Sequence, residues 1–176
     1  MASTRWGQVV DALTTRMRAV TPTYRSPWST SSVGAPVYDS LEVGLQENNS
    51  LDRYLVIGWA GDPDALRNGG RAGQKFDTMG TNRGRKETGI VTCLAVSQSG
   101  RGGEMRDGMV KAVRDDALLI VADVEAALRV PADGPTLGIA APRLLIEMGE
   151  RMEFWPFLAE GIGWKVLFDV KYSTAI

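Results

Sequence analysis

The chain has 176 residues, of which 44% are hydrophobic and 23% charged, and its net charge is -1. Those proportions are ordinary for a globular protein, and the length suits one domain (1–176) with a real core but no second large one. A charge so close to zero argues against a dedicated nucleic-acid binder, while leaving room for a local basic patch.

There is no histidine. This removes the usual general base, the Ser-His-Asp and Cys-His arrangements and the commonest transition-metal ligand, so neither an enzyme nor a cofactor or metal site is expected. The single cysteine, Cys93, excludes an intrachain disulfide and falls in the middle of an apolar run, which reads as a buried thiol. No stretch approaches about 18 consecutive apolar residues, and the opening MASTRWGQVV lacks the apolar core of a signal peptide, so neither a membrane span nor secretion is expected. The Asn48-Asn49-Ser50 sequon carries little meaning without a secretory signal.

In chain order, Ser3 is placed to cap a first helix over about Thr4 to Val20, with Trp6, Val9, Val10, Leu13, Met17 and Val20 as its apolar stripe. Pro22 ends it, and the Ser-, Thr- and Pro-rich run to Pro36 reads as an irregular connection. Val37 to Val43 is a modest strand, and Gln46 to Asp52 a turn. Tyr54 to Ala60 is apolar on both faces, as an interior strand is, and Gly58 within it marks a bulge or a close backbone approach. Asp62-Pro63 then opens a single helical turn that Gly69-Gly70 closes.

From Gly69 to Lys86 no period holds. The segment contains five glycines, and Arg67 to Lys86 carries six Lys or Arg residues against one acid, Asp77. A loop this long in a small domain is either functional or disordered. Gly89 to Ser97 follows as a strand with neither face strongly polar, hence central, and Ser99 to Gly103 is a glycine-rich turn. Glu104 to Arg129 reads as a helix of about 26 residues with Met105, Met109, Val113, Ala117, Val121, Val124 and Leu128 as its buried stripe. Its middle, ALLIVA, is apolar all round, which calls for a second covering surface. Beyond the PADGP break at Pro131 to Pro135, a strand is expected within Arg143 to Met152, then an aromatic turn, Phe154-Trp155-Pro156-Phe157. The last strand alternates most cleanly, with Ile162, Trp164, Val166, Phe168, Val170 and Tyr172 facing the core and Lys165, Asp169, Lys171 and Ser173 facing water. With only two substantial helices, the pattern predicts α+β: a mostly antiparallel sheet of four or five strands, both helices on one face, and a long basic loop (69–86) between strands.

The motifs that suggest chemistry each have a plainer reading. Ser99-Gly100-Arg101-Gly102-Gly103 and Gly80 to Arg85 have glycine spacings of a phosphate cradle but lack the Gly-Lys-Ser/Thr ending. Asp62 and Asp64 are explained by capping and turn formation, and Glu147, Glu150 and Glu153 by a solvated strand edge. The basic loop, through Arg71, Lys75, Phe76, Arg83, Arg85 and Lys86, has three open readings: a disordered surface loop, a contact to nucleic-acid phosphates, or a segment ordered by a protein partner. Trp155 and Phe157 are either a small satellite core or anchors of an interface.

Several strings taken in order, VIGWAGDPDA (Val56 to Ala65), the glycine-rich loop, ETGIVTCLAVSQSG (Glu87 to Gly100), VEAALR (Val124 to Arg129) and FDVKYSTAI (Phe168 to Ile176), resemble the tail terminator proteins of long-tailed phages infecting actinobacteria. The resemblance spans about residues 5 to 176. It implies a small α+β subunit that closes into a homo-oligomeric ring, a hexamer, capping the tail tube and joining it to the head-side connector. The implied partners are the tail tube protein, the connector or stopper protein and, non-specifically, phage DNA in the lumen. The implied place is the virion's tail-neck junction, with assembly in the host cytoplasm and no membrane. No catalytic residue carries over, and the loop is more basic than the family's pattern, which leaves open the surface it faces. The alternatives are another neck protein, such as a stopper or adaptor ring, a small nucleic-acid-binding domain using the basic loop, and a histidine-free enzyme.

Overall fold

A computed structural model describes residues 5–19, 37–39, 53–58, 71–76, 85–99, 108–129, 136–140, 143–158 and 161–175, with the backbone alone for 39, 71–76 and 85. Its elements are α1 (Trp6–Ala19), β1 (Val37–Asp39), β2 (Arg53–Ile57), β3 (Arg71–Phe76), β4 (Arg85–Gln98), α2 (Met109–Leu128), β5 (Leu145–Leu158) and β6 (Ile162–Ala175). The class is α+β, and the sheet is antiparallel except where β1 runs parallel to β2.

The expected central strand is the axis of the molecule. β4 pairs with β6 without interruption from Lys86↔Ala175 to Gln98↔Gly163, and its other side is shared end to end by β3 at residues 85–90 and β2 at residues 93–97. The strand order is therefore β1-β2-β4-β6-β5, with β3 beside β2 along the same flank of β4. Alternation along β4 sorts two apolar sets. Val91, Cys93 and Ala95 join Leu55 and Ile57 of β2 and Val166, Phe168, Val170 and Tyr172 of β6 in one buried cluster, together with Val9, Val10, Leu13 and Met17 of α1 and Ala117, Ile120, Val121, Val124, Ala127 and Leu128 of α2. Buried residues of both helices thus meet the same face of the sheet. Each Val, Leu, Ile, Met or Phe among them, once fully buried, contributes about 1.5–3 kcal/mol.

On the other face Val56, Leu94, Val96 and Leu167 form a second buried cluster, flanked by Tyr54 and Phe157, into which no described helix residue enters. This corrects the expectation that the outer side of the last strand is simply wet. Leu167 is buried there, and Asp169, read as a solvent-facing residue, is buried and accepts a 2.9 Å hydrogen bond from the hydroxyl of Thr92, its cross-strand partner. A carboxylate tolerates that position because a hydroxyl is aligned with it by register.

The stripe predicted for α2 is buried at every described position, and the stripe adds Asp116, Ile120 and Ala127. Leu118 packs partly against the main cluster, whereas Leu119 is half-buried and Ala122 exposed. Gly58 has a φ of 75° and lies against the Trp6 ring and Val10, the close approach its place in the strand suggested. Ser99 ends β4 by fastening it to β6: its hydroxyl donates to the Ile162 carbonyl at 3.2 Å and accepts from the Ile162 N–H at 3.0 Å. Outside the described residues lie the Ser3 cap, the 21–36 connection, residues 40–43 of the first strand, the 46–52 turn, the Asp62-Pro63 helical turn with Asp64, Arg83, Gly100 to Gly103, Met105 and the PADGP break.

Two assignments change. Residues 71–76, read as loop, are a strand paired with β4 from Arg71↔Ile90 to Phe76↔Arg85. RAGQKF has no alternation of its own, so its pairing is supplied by the strand beside it. The aromatic turn is the outer half of β5, which runs unturned to Leu158 opposite Ile162, with a register shift between Met148 and Met152. Pro156 suggested a turn, but an edge strand tolerates proline because one side of it needs no donors.

Candidate interaction surface

The buried ionisable groups are each tied into the architecture. Asp116 of α2 faces Arg53 of β2 at 2.8 Å and accepts a 2.7 Å hydrogen bond from Ser97 of β4, so one carboxylate fixes the helix against two strands. Burial pushes its pKa up, and the Ser97 hydroxyl and Arg53 guanidinium pull it partly back. Asp123, one side of the same helix, is raised by burial as well. Glu87 of β4, fully buried, accepts from the Arg5 backbone N–H at 2.6 Å and from the Tyr172 hydroxyl at 2.8 Å. It thereby supplies a carboxylate to the N-terminus of α1, where free N–H groups and the helix dipole favour negative charge. Burial first, then the neighbouring Glu87, push the Tyr172 phenol well above its usual range.

These groups do not converge on a reaction site. Among the described residues no group of three or more His, Cys, Asp or Glu side chains is placed to hold a metal. A hollow of about 500 Å³, lined by Lys86, Thr88, Ile90, Leu145, Glu147 and Lys171 among others, opens on the face away from the helices. Cys93 is fully buried, and desolvation pushes its thiol up to about 12, the opposite of what a nucleophile needs.

Of the seven large apolar side chains exposed among the described residues, five gather on one element, the other two being Ile90 of β4 and Val110 of α2. Leu145, Met152, Phe154 and Trp155 are 42–45% exposed and Leu158 80%, and all five belong to β5. Among the described residues β5 pairs with β6 alone, which makes it an edge of the sheet. Adjacent residues on a strand point to opposite faces, and Phe154 and Trp155 are adjacent. Apolar surface is therefore presented on both sides of the edge. Long exposed apolar edges are what isolated proteins avoid and assembling ones use.

The two aromatic candidates divide between their two readings. Phe157 stands opposite Gly163 with its ring directly over it, where a Cβ would come within 2.1 Å, and Lys165 lies 4.7 Å above the same ring. It packs beside the Val56–Leu94–Val96–Leu167 cluster and is half-buried. Trp155, opposite Lys165, stays exposed. Sequence reasoning did not single out Leu145, Met152, Phe154 or Leu158, because apolar residues at both parities of a strand erase the alternation that marks it.

Of the basic candidates, Arg71, Lys75 and Phe76 are on β3, Arg85 and the exposed Lys86 are on β4, and Arg83 lies outside the described residues. The register sets Lys75 opposite Lys86 and Phe76 opposite Arg85. The structure does not bring these residues to Trp155 or Phe157: β3 and β5 lie on opposite sides of the β4–β6 pair. Comparison of the chain with models of known protein families and with the sequences of characterised proteins returns no match.

Proposed function

We propose that this chain is a structural subunit that works by assembling with copies of itself through its sheet edges. Following the resemblance in its sequence, the particular assembly is the tail terminator ring of a long-tailed phage, hexameric, seated on the tail tube and joined to the head-side connector or stopper. Its place would be the tail-neck junction of the virion, with DNA passing through the lumen.

The observation that carries the reading is the apolar edge of β5, where five large side chains stay exposed along one edge strand. A neighbour that merely lay on one face of the sheet would cover residues of one parity. Phe154 and Trp155 require cover on both, which a strand or loop added to the edge provides. Covering the remaining surface of Trp155 contributes about 1–2 kcal/mol to such a contact.

The test is electron microscopy and native mass spectrometry of the purified chain, alone and with tail tube protein. Rings, or caps on tube ends, are the expected result, and Phe154→Ser with Trp155→Ser should reduce them sharply while leaving the fold intact. A chain that stays strictly monomeric with tail tube and connector proteins present would refute the proposal.

A further inference from the structure

We infer that the ring closes head to tail by continuation of the sheet, the β5 edge of one copy receiving the basic β3–β4 hairpin of the next. This rests on the assembly reading above and adds which two surfaces meet.

The sheet has two unlike edges. β5 bounds one side, and β3, which pairs with β4 alone among the described residues, bounds the other at the level of residues 71–76. Their charges are opposite. β5 carries Glu147, Glu150 and Glu153 against one cation, Arg151, which is bound to Glu153 at 2.7 Å. Its nearest other cation, Lys171 of β6, is shared between Glu147 at 3.6 Å and Glu150 at 3.4 Å, so one charge serves two exposed carboxylates. The hairpin's strands carry Arg71, Lys75, Arg85 and Lys86, and the only acid among its described residues, Glu87, is buried and turned to the α1 N-terminus and Tyr172. Within one copy the register opposes Lys75 to Lys86, like charges at directly paired positions, an arrangement that favours an incoming anion.

The two edges also stand at a matching level. Reading pair by pair across the sheet, Arg71 is opposite Ile90, Ile90 opposite Lys171, and Lys171 opposite Glu147. A transverse row that begins with arginine at one edge therefore ends with glutamate at the other. Pairing like edges would set three glutamates against three, or one basic hairpin against another, with the repulsion that follows. Pairing unlike edges joins opposite charges, and such a heterologous contact, repeated with rotation, closes a ring.

Two double variants test this. Glu147→Lys with Glu150→Lys makes both edges basic, and Arg71→Glu with Lys86→Glu makes both acidic. Glu147, Glu150 and Lys86 are exposed, so their reversal leaves folding nearly untouched, which circular dichroism and thermal melts would verify. Each variant alone should associate about tenfold or more weakly than the wild type. Mixed in equal amounts they should assemble again, in even-numbered species alternating the two masses in native mass spectra, because each edge then meets its opposite. Rings of unaltered strength in both variants, or a folded mixture that stays monomeric, would overturn the edge pairing while leaving the assembly reading standing. A wild type that never assembles, even with tail tube protein, would overturn both.

Discussion

Gly89→Ala is a sharp test of how the fold is held together, because it acts through three elements at once. Gly89 pairs with Tyr172 across β4 and β6, and a Cβ built there would lie 2.3–2.5 Å from Cε1, Cζ and the hydroxyl oxygen of the Tyr172 ring. The φ of Gly89 is not in the left-handed region, so the backbone accepts alanine and even gains about 0.4–1 kcal/mol from a stiffer unfolded chain. The ring, however, must move. Overpacking of this kind costs about 1–3 kcal/mol. Moving the phenol also breaks its 2.8 Å bond to the buried Glu87, a hydrogen bond to a charged group worth about 1.5–3 kcal/mol. The net expectation is a loss of about 2–5 kcal/mol, a large share of the 5–15 kcal/mol typical of a domain. Urea denaturation at fixed, low protein concentration would measure it. Tyr172→Phe, which loses the hydroxyl alone, should cost about 1.5–3 kcal/mol, and the two changes combined should cost less than their sum because they break the same bond. A Gly89→Ala variant within about 0.5 kcal/mol of the wild type, or strict additivity with Tyr172→Phe, would refute the coupling.

Removing one partner of the buried pair, as in Asp116→Leu, should destabilise by about 3–5 kcal/mol by taking away the carboxylate that lies 2.8 Å from Arg53, whereas Asp116→Leu with Arg53→Met should recover much of the loss. Burial raises the Asp116 pKa above its ordinary 3.8, so the folded chain holds that proton more tightly than the unfolded one. Its contribution is thus fully present below 3.8 and is lost as pH rises through the folded value; the stability of the wild type relative to Asp116→Asn should fall over that window, and a flat or rising difference in pH-stepped urea titrations would contradict the argument. Cys93, buried with its thiol pushed up to about 12, should resist a thiol-disulfide reagent at pH 8 in the native chain and react at once in denaturant; rapid native reaction would show that β4 is not the covered strand described.

Much of the framework was legible in the sequence because it depends on local periodicity. The stripes of α1 and α2 repeat at three and four residues, and β6 alternates at two, so the faces that would be buried could be named before any partner was known. Absence of histidine and the position of Cys93 limited the chemistry in the same direct way. Tertiary structure decided what neighbours impose. β3 is a strand because β4 supplies its ladder, and the RAGQKF string contains no signal of that. Asp169 reads as a solvent-facing acid, and nothing in the sequence sets Asp116 or Glu87 apart, until Thr92, Arg53 and Ser97, and Tyr172 and the Arg5 N–H, all distant in sequence, are brought to them. The outer half of β5 is the clearest case. Met152, Phe154, Trp155 and Leu158 are apolar on both sides of a strand, which from sequence looks like a buried turn, and only the strand order places them on an open edge. Periodicity reports which side of an element is covered; it carries no information about which element ends the sheet.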